Sequence, residues 1–168
     1  MCSFFDGDSL RVTVSNANKG RVMLLDQIRD KDNVLSVGRM SCMLTFPGRQ
    51  AFETSYVGRV KGENFQTLAG IANYEGGTQD GIYIFLPRDF TSGVHNIYPL
   101  QAFLTRVENG GVPETYFALF GEVNVERSAE EDRLVGTFFF YTSTNAVIDG
   151  KFDIKGIDPA RTYEKSSG

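Results

Sequence analysis

The chain is patterned in short alternating runs. In "SLRVTV" (9–14), Leu10, Val12 and Val14 share one face and polar residues the other, which predicts a strand. "NANKG" (16–20) follows as a turn. In "RVMLLDQIRDKDN" (21–33), Val22, Leu25 and Ile28 fit one helical face, but the surrounding β signal favours a strand ending near Asp26. "VLSVGRMSCMLTF" (34–46) reads as extended and "PGRQ" (47–50) as the turn that closes it.

From Ala51 the runs become more regular. "FETSYVGRVKG" (52–62) and "FQTLAGIANYE" (65–75) predict strands, with "GGTQDG" (76–81) as a hairpin connection. "IYIFLP" (82–87) is apolar on both faces, as a central strand requires. "RDFTSGVHN" (88–96) reads as a loop. "IYPLQAFLTRVE" (97–108) and "ETYFALFGEVNVE" (114–126) are strands around "NGGVP". "RLVGTFFFYTS" (133–143) and "VIDGKFDIKGI" (147–157) form a terminal hairpin.

Period-two alternation puts Phe138 and Phe140 on one face, and Phe139 and Tyr141 on the other. Ile148, Gly150, Phe152 and Ile154 then share a face opposite Asp149 and Asp153. No segment sustains helical periodicity over three turns. The expectation is an all-β fold: an antiparallel β-sandwich or flattened barrel of about eight to ten strands, with at most one short helix near 22–30. A length of 168 residues fits a single β-rich domain. Within it, 1–50 supply N-terminal strands, 51–157 the core β domain and 158–168 a polar tail.

Composition supports this picture without adding chemistry. Eighteen glycines beside 12% aromatic residues suit strands joined by tight turns. The net charge of −4, with no basic run, argues against nucleic acid as a partner. No apolar stretch has the length needed to span a bilayer as a helix. Cys2 and Cys42 are too few for a disulfide framework, and two reduced thiols are favoured over one bridge. The chain as written lacks a signal peptide, so the expected location is cytoplasmic. The alternative is a bacterial envelope lipoprotein, if Cys2 follows a removed leader.

Candidate chemistry is sparse. The single histidine, His95, has no nucleophile motif near it in sequence, and no catalytic residue is assigned. There is no zinc motif. Asp149 and Asp153, about 13 Å apart along a strand, are too far apart to share a calcium ion. No metal or cofactor is expected. The outward aromatic pair of the terminal hairpin would meet a ligand, a partner chain or, as the simplest reading, cover from residues 1–50 of the chain itself. As candidates for a binding surface, Phe139, Tyr141, His95 and Tyr98 are taken as ligand- or partner-binding residues.

The order "GRVKGENF", "GIYIFLP", "SGVHNIYPL", "YFALFGEVNV" and "LVGTFFFYTSTNAVIDGKFDI", over about residues 55–157, resembles a family of uncharacterised bacterial all-β domains. Many of those are envelope lipoproteins. The resemblance rests on the G-x-F-x-F…DGKFDI-type hairpin and implies a β-sandwich and an envelope setting. It brings no catalytic residue, and residues 1–50 lie outside it.

The functional expectation is therefore a non-enzymatic binding or interaction module. It would engage a protein partner or small ligand by a sheet face or by the loops around 88–96 and 108–114. The alternatives are a carboxylate-based hydrolase acting on glycans, and a structural protein that forms homo-oligomers.

Overall fold

The computed structural model describes residues 35–158 other than residue 47, together with two short strands, β1 (Val12–Thr13) and β2 (Arg21–Val22). These two pair antiparallel. The helix or strand expected beyond Val22, the position of Cys2 and the tail from residue 159 lie outside the described residues.

The fold is all-β, with no helix among the described residues. Its body is two antiparallel sheets, neither closed into a barrel. The front sheet has six strands: β4 (Gln50–Thr54), β3 (Val37–Leu44), β13 (Ala146–Lys155), β12 (Arg133–Tyr141), β11 (Phe120–Ser128) and β8 (Gly93–Ile97), in that spatial order. The back sheet has five: β10 (Glu114–Phe117), β9 (Ala102–Val107), β7 (Gln79–Pro87), β6 (Phe65–Asn73) and β5 (Val57–Lys61). The two-sided apolar run "IYIFLP" is the middle strand of the back sheet.

Eleven strands exceed the eight to ten expected, for three local reasons. "ETYFALFGEVNVE" breaks at Ala118 and Leu119, so that β10 ends in the back sheet and β11 begins in the front one. "FETSYVGRVKG" breaks at Ser55 and Tyr56, so that β4 ends in the front sheet and β5 begins in the back one. The stretch 88–96, read as a loop, contributes β8, which pairs with β11. Only one residue of β8, Ile97, is buried, which is why it carried no strand signal.

The inner faces meet in one apolar core. Met40, Cys42, Leu44, Phe138, Phe140, Phe152 and Ile154 of the front sheet pack against Leu68, Ile82, Ile84 and Leu104 of the back sheet. Burying each large side chain stabilises the fold by about 1.5–3 kcal/mol. Phe138 and Phe140 face this core, and Phe139 and Tyr141 face outward.

The terminal hairpin departs from strict alternation at one point. The register between β12 and β13 slips between Phe138 and Phe140, where Asp149 takes a φ of 53° and forms a bulge. The extra residue exchanges the faces of the residues before it. Val147, not Ile148, therefore joins Phe152 and Ile154 in the core. Gly150 is required beside the bulge, since a Cβ there would lie 2.5 Å from the Phe138 carbonyl oxygen and 2.6 Å from its ring.

A buried arginine makes an ion pair toward each end of the inner face, with a buried partner at one end and a half-exposed one at the other. Arg106 donates through Nε and Nη2 to both oxygens of Asp80 at 2.8 Å, and through Nη2 to Gln50 at 2.6 Å, reaching from the back sheet to the front. Its guanidinium lies 3.9 Å from the centre of the Phe46 ring. At the other end Arg59, fully buried on β5, donates to Gln66 at 3.1 Å and to the Asp132 carboxylate at 2.9 Å. Asp132 lies in the β11–β12 turn, so this pair also bridges the sheets.

Candidate binding site

The outer face of the front sheet is open, and its strand register sets out four rows of side chains. Arg39, Asp153, Val135 and Glu126 form the first, and Ser41, Lys151, Thr137 and Asn124 the second. Phe139 and Glu122 stand opposite each other in the third, and Tyr141 and Phe120 in the fourth. Successive rows along one strand are about 7 Å apart. The Asp149 bulge falls at the third row, where the polar half of the face gives way to the aromatic half.

The polar half is concave. An open trough of about 820 Å³ lies over the first two rows, closed at one side by Ser92 and Gly93 at the start of β8. Its middle is formed by the short side chains Ser41, Thr137 and Asn124, with Arg39, Lys151 and Glu126 around them. Arg133 makes a two-bond contact to Asp153 at 2.7 and 2.6 Å. Hydrogen bonds from Arg133, and then the charges of Arg133 and Arg39, outweigh desolvation and lower the Asp153 pKa. The trough thus carries two cationic and two anionic side chains beside neutral hydroxyls and an amide.

The aromatic half is a small exposed cluster. Phe120 and Tyr141 stack with ring centres 4.9 Å apart and planes at 20°. Phe139 meets Tyr141 edge-on at 6.0 Å. Phe120 is 58% exposed although it stacks on a neighbour. Tyr98 follows Ile97, the β8 partner of Gly121, and so emerges at this same end of the face, 59% exposed. Leu100 and Leu119, also exposed, extend the apolar surface there.

Of the four residues singled out from the sequence, Phe139, Tyr141 and Tyr98 come to one end of one face. His95 does not join them. It is half-buried and sits opposite Val123, a core residue. Its Nε2 donates to the Thr91 carbonyl at 2.6 Å, and its ring meets Phe90 edge-on at 6.1 Å. It closes a turn at the rim of the sandwich. Of the two loops considered for binding, 88–96 is partly β8, and 108–114 is a turn that bears the exposed Val112 and whose last residue, Glu114, begins β10.

Phe120 and the trough residues were not singled out. Phe120 is in phase with Glu122 and Asn124, a signal hidden by the apolar Ala118 and Leu119 before it.

The other concentration of polar groups is internal. Cys42 is a free, buried thiol whose pKa is raised by desolvation and then by the charge of Asp80. The Tyr74 hydroxyl is buried without a well-placed hydrogen-bond partner, and burial followed by the Asp80 charge raises its pKa as well. Tyr116, hydrogen-bonded to Glu114, is pushed up to about 12 chiefly by that bond. This cluster holds the sheets together at the Arg106 end.

Among the described residues no group of three His, Cys, Asp or Glu side chains converges as metal ligands would. No described helix is long and apolar enough to cross a membrane. No protein-family model, curated protein or solved structure matches the chain.

Proposed function

We propose that the chain is a non-catalytic binding module that takes its ligand on the outer face of the front sheet. The observation that carries this reading is the stacked, exposed Phe120–Tyr141 pair, backed by Phe139 and continuous with a polar trough of about 820 Å³ on the same face. Concave volume of this size beside rigid aromatic surface is the usual form of a small-ligand site. Rings already packed on one another lose little side-chain freedom on binding.

A second reading, hydrolysis by paired carboxylates, has its own observation. Asp153 and Glu126 stand on either side of β12 in one row of the trough, two strand spacings or about 10 Å apart. That separation is near the upper end of the range for inverting glycoside hydrolysis. Such chemistry also needs one carboxyl held protonated by an apolar surround. Arg133 instead favours the ionised form of Asp153, and Glu126 is exposed, so binding without turnover is the better-supported reading. The location we propose is the cytoplasm, with the envelope as the alternative that cell fractionation decides.

The test is a fragment screen by two-dimensional amide NMR on the full chain. Shifts should concentrate in residues 120–126, 135–141 and 151–153. Shifts confined to the 108–113 turn, or to the cluster around Asp80 and Arg106, would refute the proposed face.

A further inference from the structure

The chemistry along the open face narrows what it binds. This step rests on the binding-module reading above and deepens it. We infer that the ligand is a neutral, linear oligosaccharide, lying along the strands with its hydroxyls in the trough and one sugar face on the Phe139–Tyr141–Phe120 cluster.

The argument begins with charge. Arg39 and Lys151 line the trough with Glu126 and with Asp153. Arg133, which pairs with Asp153, also meets Glu131 at 3.6 Å, so three cationic groups stand against three carboxylates. A phosphate or polyanion would meet two carboxylates, and a cation would meet a guanidinium and an ammonium group. A ligand without net charge meets neither cost.

Hydrogen bonding points the same way. Ser41 and Thr137 offer hydroxyls that both donate and accept, Asn124 offers an amide, Lys151 donates and Glu126 accepts. None of these five side chains makes a hydrogen bond or ion pair with another described residue. An apolar partner laid over them would strand five polar groups at about 1–3 kcal/mol each. An oligosaccharide, whose free hydroxyls each donate and accept, can satisfy all five.

The aromatic half supplies the other requirement. One face of a pyranose ring presents C–H bonds of slight positive charge, which complement the negative face of an aromatic ring. The second row lies about 7 Å from the row of Phe139 and about 13 Å from that of Tyr141 along β12. A single sugar ring is too short to engage both halves, so the site suits a chain of several units.

The experiment titrates the intact chain with cellohexaose, xylohexaose, mannohexaose, chitohexaose and maltohexaose. Calorimetry measures affinity and amide NMR locates the site. At least one sugar should bind saturably, with a dissociation constant between about 10 μM and 1 mM. Its shifts should fall in residues 120–126, 135–141 and 151–153. Tyr141→Ala should weaken binding at least tenfold, and so should Thr137→Trp, which fills the trough and leaves the aromatic cluster in place. Val112→Ala, in the distant turn, should bind as the parent does. Unchanged thermal unfolding of each variant shows that folding is intact.

Absence of saturable binding to all five sugars overturns the inference. So does binding indifferent to both Tyr141→Ala and Thr137→Trp, or a Tyr141-dependent dimer in sedimentation that binds no sugar. If sugars fail while fragments still map to this face, the ligand class is wrong and the face stands. If a bound sugar is cleaved, as mass spectrometry of the products would show, the ligand class stands and the non-catalytic reading falls.

Discussion

The two sheets differ most on the sides they turn away from each other. On the back sheet, Ala69, Ile71, Tyr83 and Phe103 form a second apolar cluster on the outer face, with Phe85 and Phe117 packed against it. Tyr83 and Phe103 stack at 4.5 Å and are each 1% exposed. On the front sheet, Phe120 and Tyr141 stack in nearly the same geometry but remain open. Similar ring pairs thus serve different ends. The closed pair contributes its buried area to stability, whereas the open pair keeps that area for a ligand.

The largest expected effect tests that contrast directly. Phe103→Ala should destabilise the fold by about 3–5 kcal/mol, and Tyr141→Ala by about 1 kcal/mol or less, as read from urea denaturation midpoints at constant slope. Equal losses from the two would remove the distinction between the faces. Next comes Gly81→Ala. Its Cβ would lie 2.7 Å from the Thr105 hydroxyl and 2.9 Å from the Tyr83 ring, so the closed side should lose about 1–3 kcal/mol to overpacking.

The interior and the open face should also respond to opposite ends of the pH scale. Cys42 and Tyr74 have raised pKa values in the fold, so the unfolded chain gives up their protons first. Stability should be full below about pH 8.5, the ordinary thiol value, and decline above it. Cys42→Ala should move the onset toward about pH 10, where tyrosine begins to titrate. Denaturation at stepwise increasing pH checks this, and a parent curve flat to pH 10 would count against it. Asp153 has a lowered pKa, so its contribution is present above about pH 4 and lost as pH falls through the lower, folded value.

The smallest effect is at that same pair. Both partners are about 40% exposed, so Arg133→Met should cost no more than about 1 kcal/mol, and less at high salt. The same variant should reduce the acid sensitivity of the parent. A loss as large as that of Phe103→Ala would show that the trough is part of the stability core.

Much of this contrast was legible in the chain. The two-sided apolar run 82–87 marked a strand buried on both faces, and β7 is one. The alternation in 138–141 separated the two aromatic pairs correctly. It could not orient them, because Val135 and Leu134 supply an apolar neighbour in either phase. The bulge at Asp149 was invisible for a similar reason. Val147 and Ile148 are interchangeable as core residues, and a backbone φ of 53° leaves no trace in hydrophobicity. The trough was beyond reach altogether. Its second row joins Ser41, Lys151, Thr137 and Asn124 across four strands, and periodicity along one strand says nothing about lateral neighbours.

The position of β13 sets the order in which the protein can be built. This last strand of the two sheets lies between β3 and β12, bonded to both. On a ribosome, the β3–β4 and β11–β12 hairpins emerge first, each with an unpaired edge facing the other. No strand pairing joins them until Ala146–Lys155 clears the exit tunnel and inserts between them like a keystone. The face that carries the trough therefore comes into being last, when this strand inserts. A ribosome stalled before that point would display two sticky half-sheets, the species on which a chaperone or protease acts.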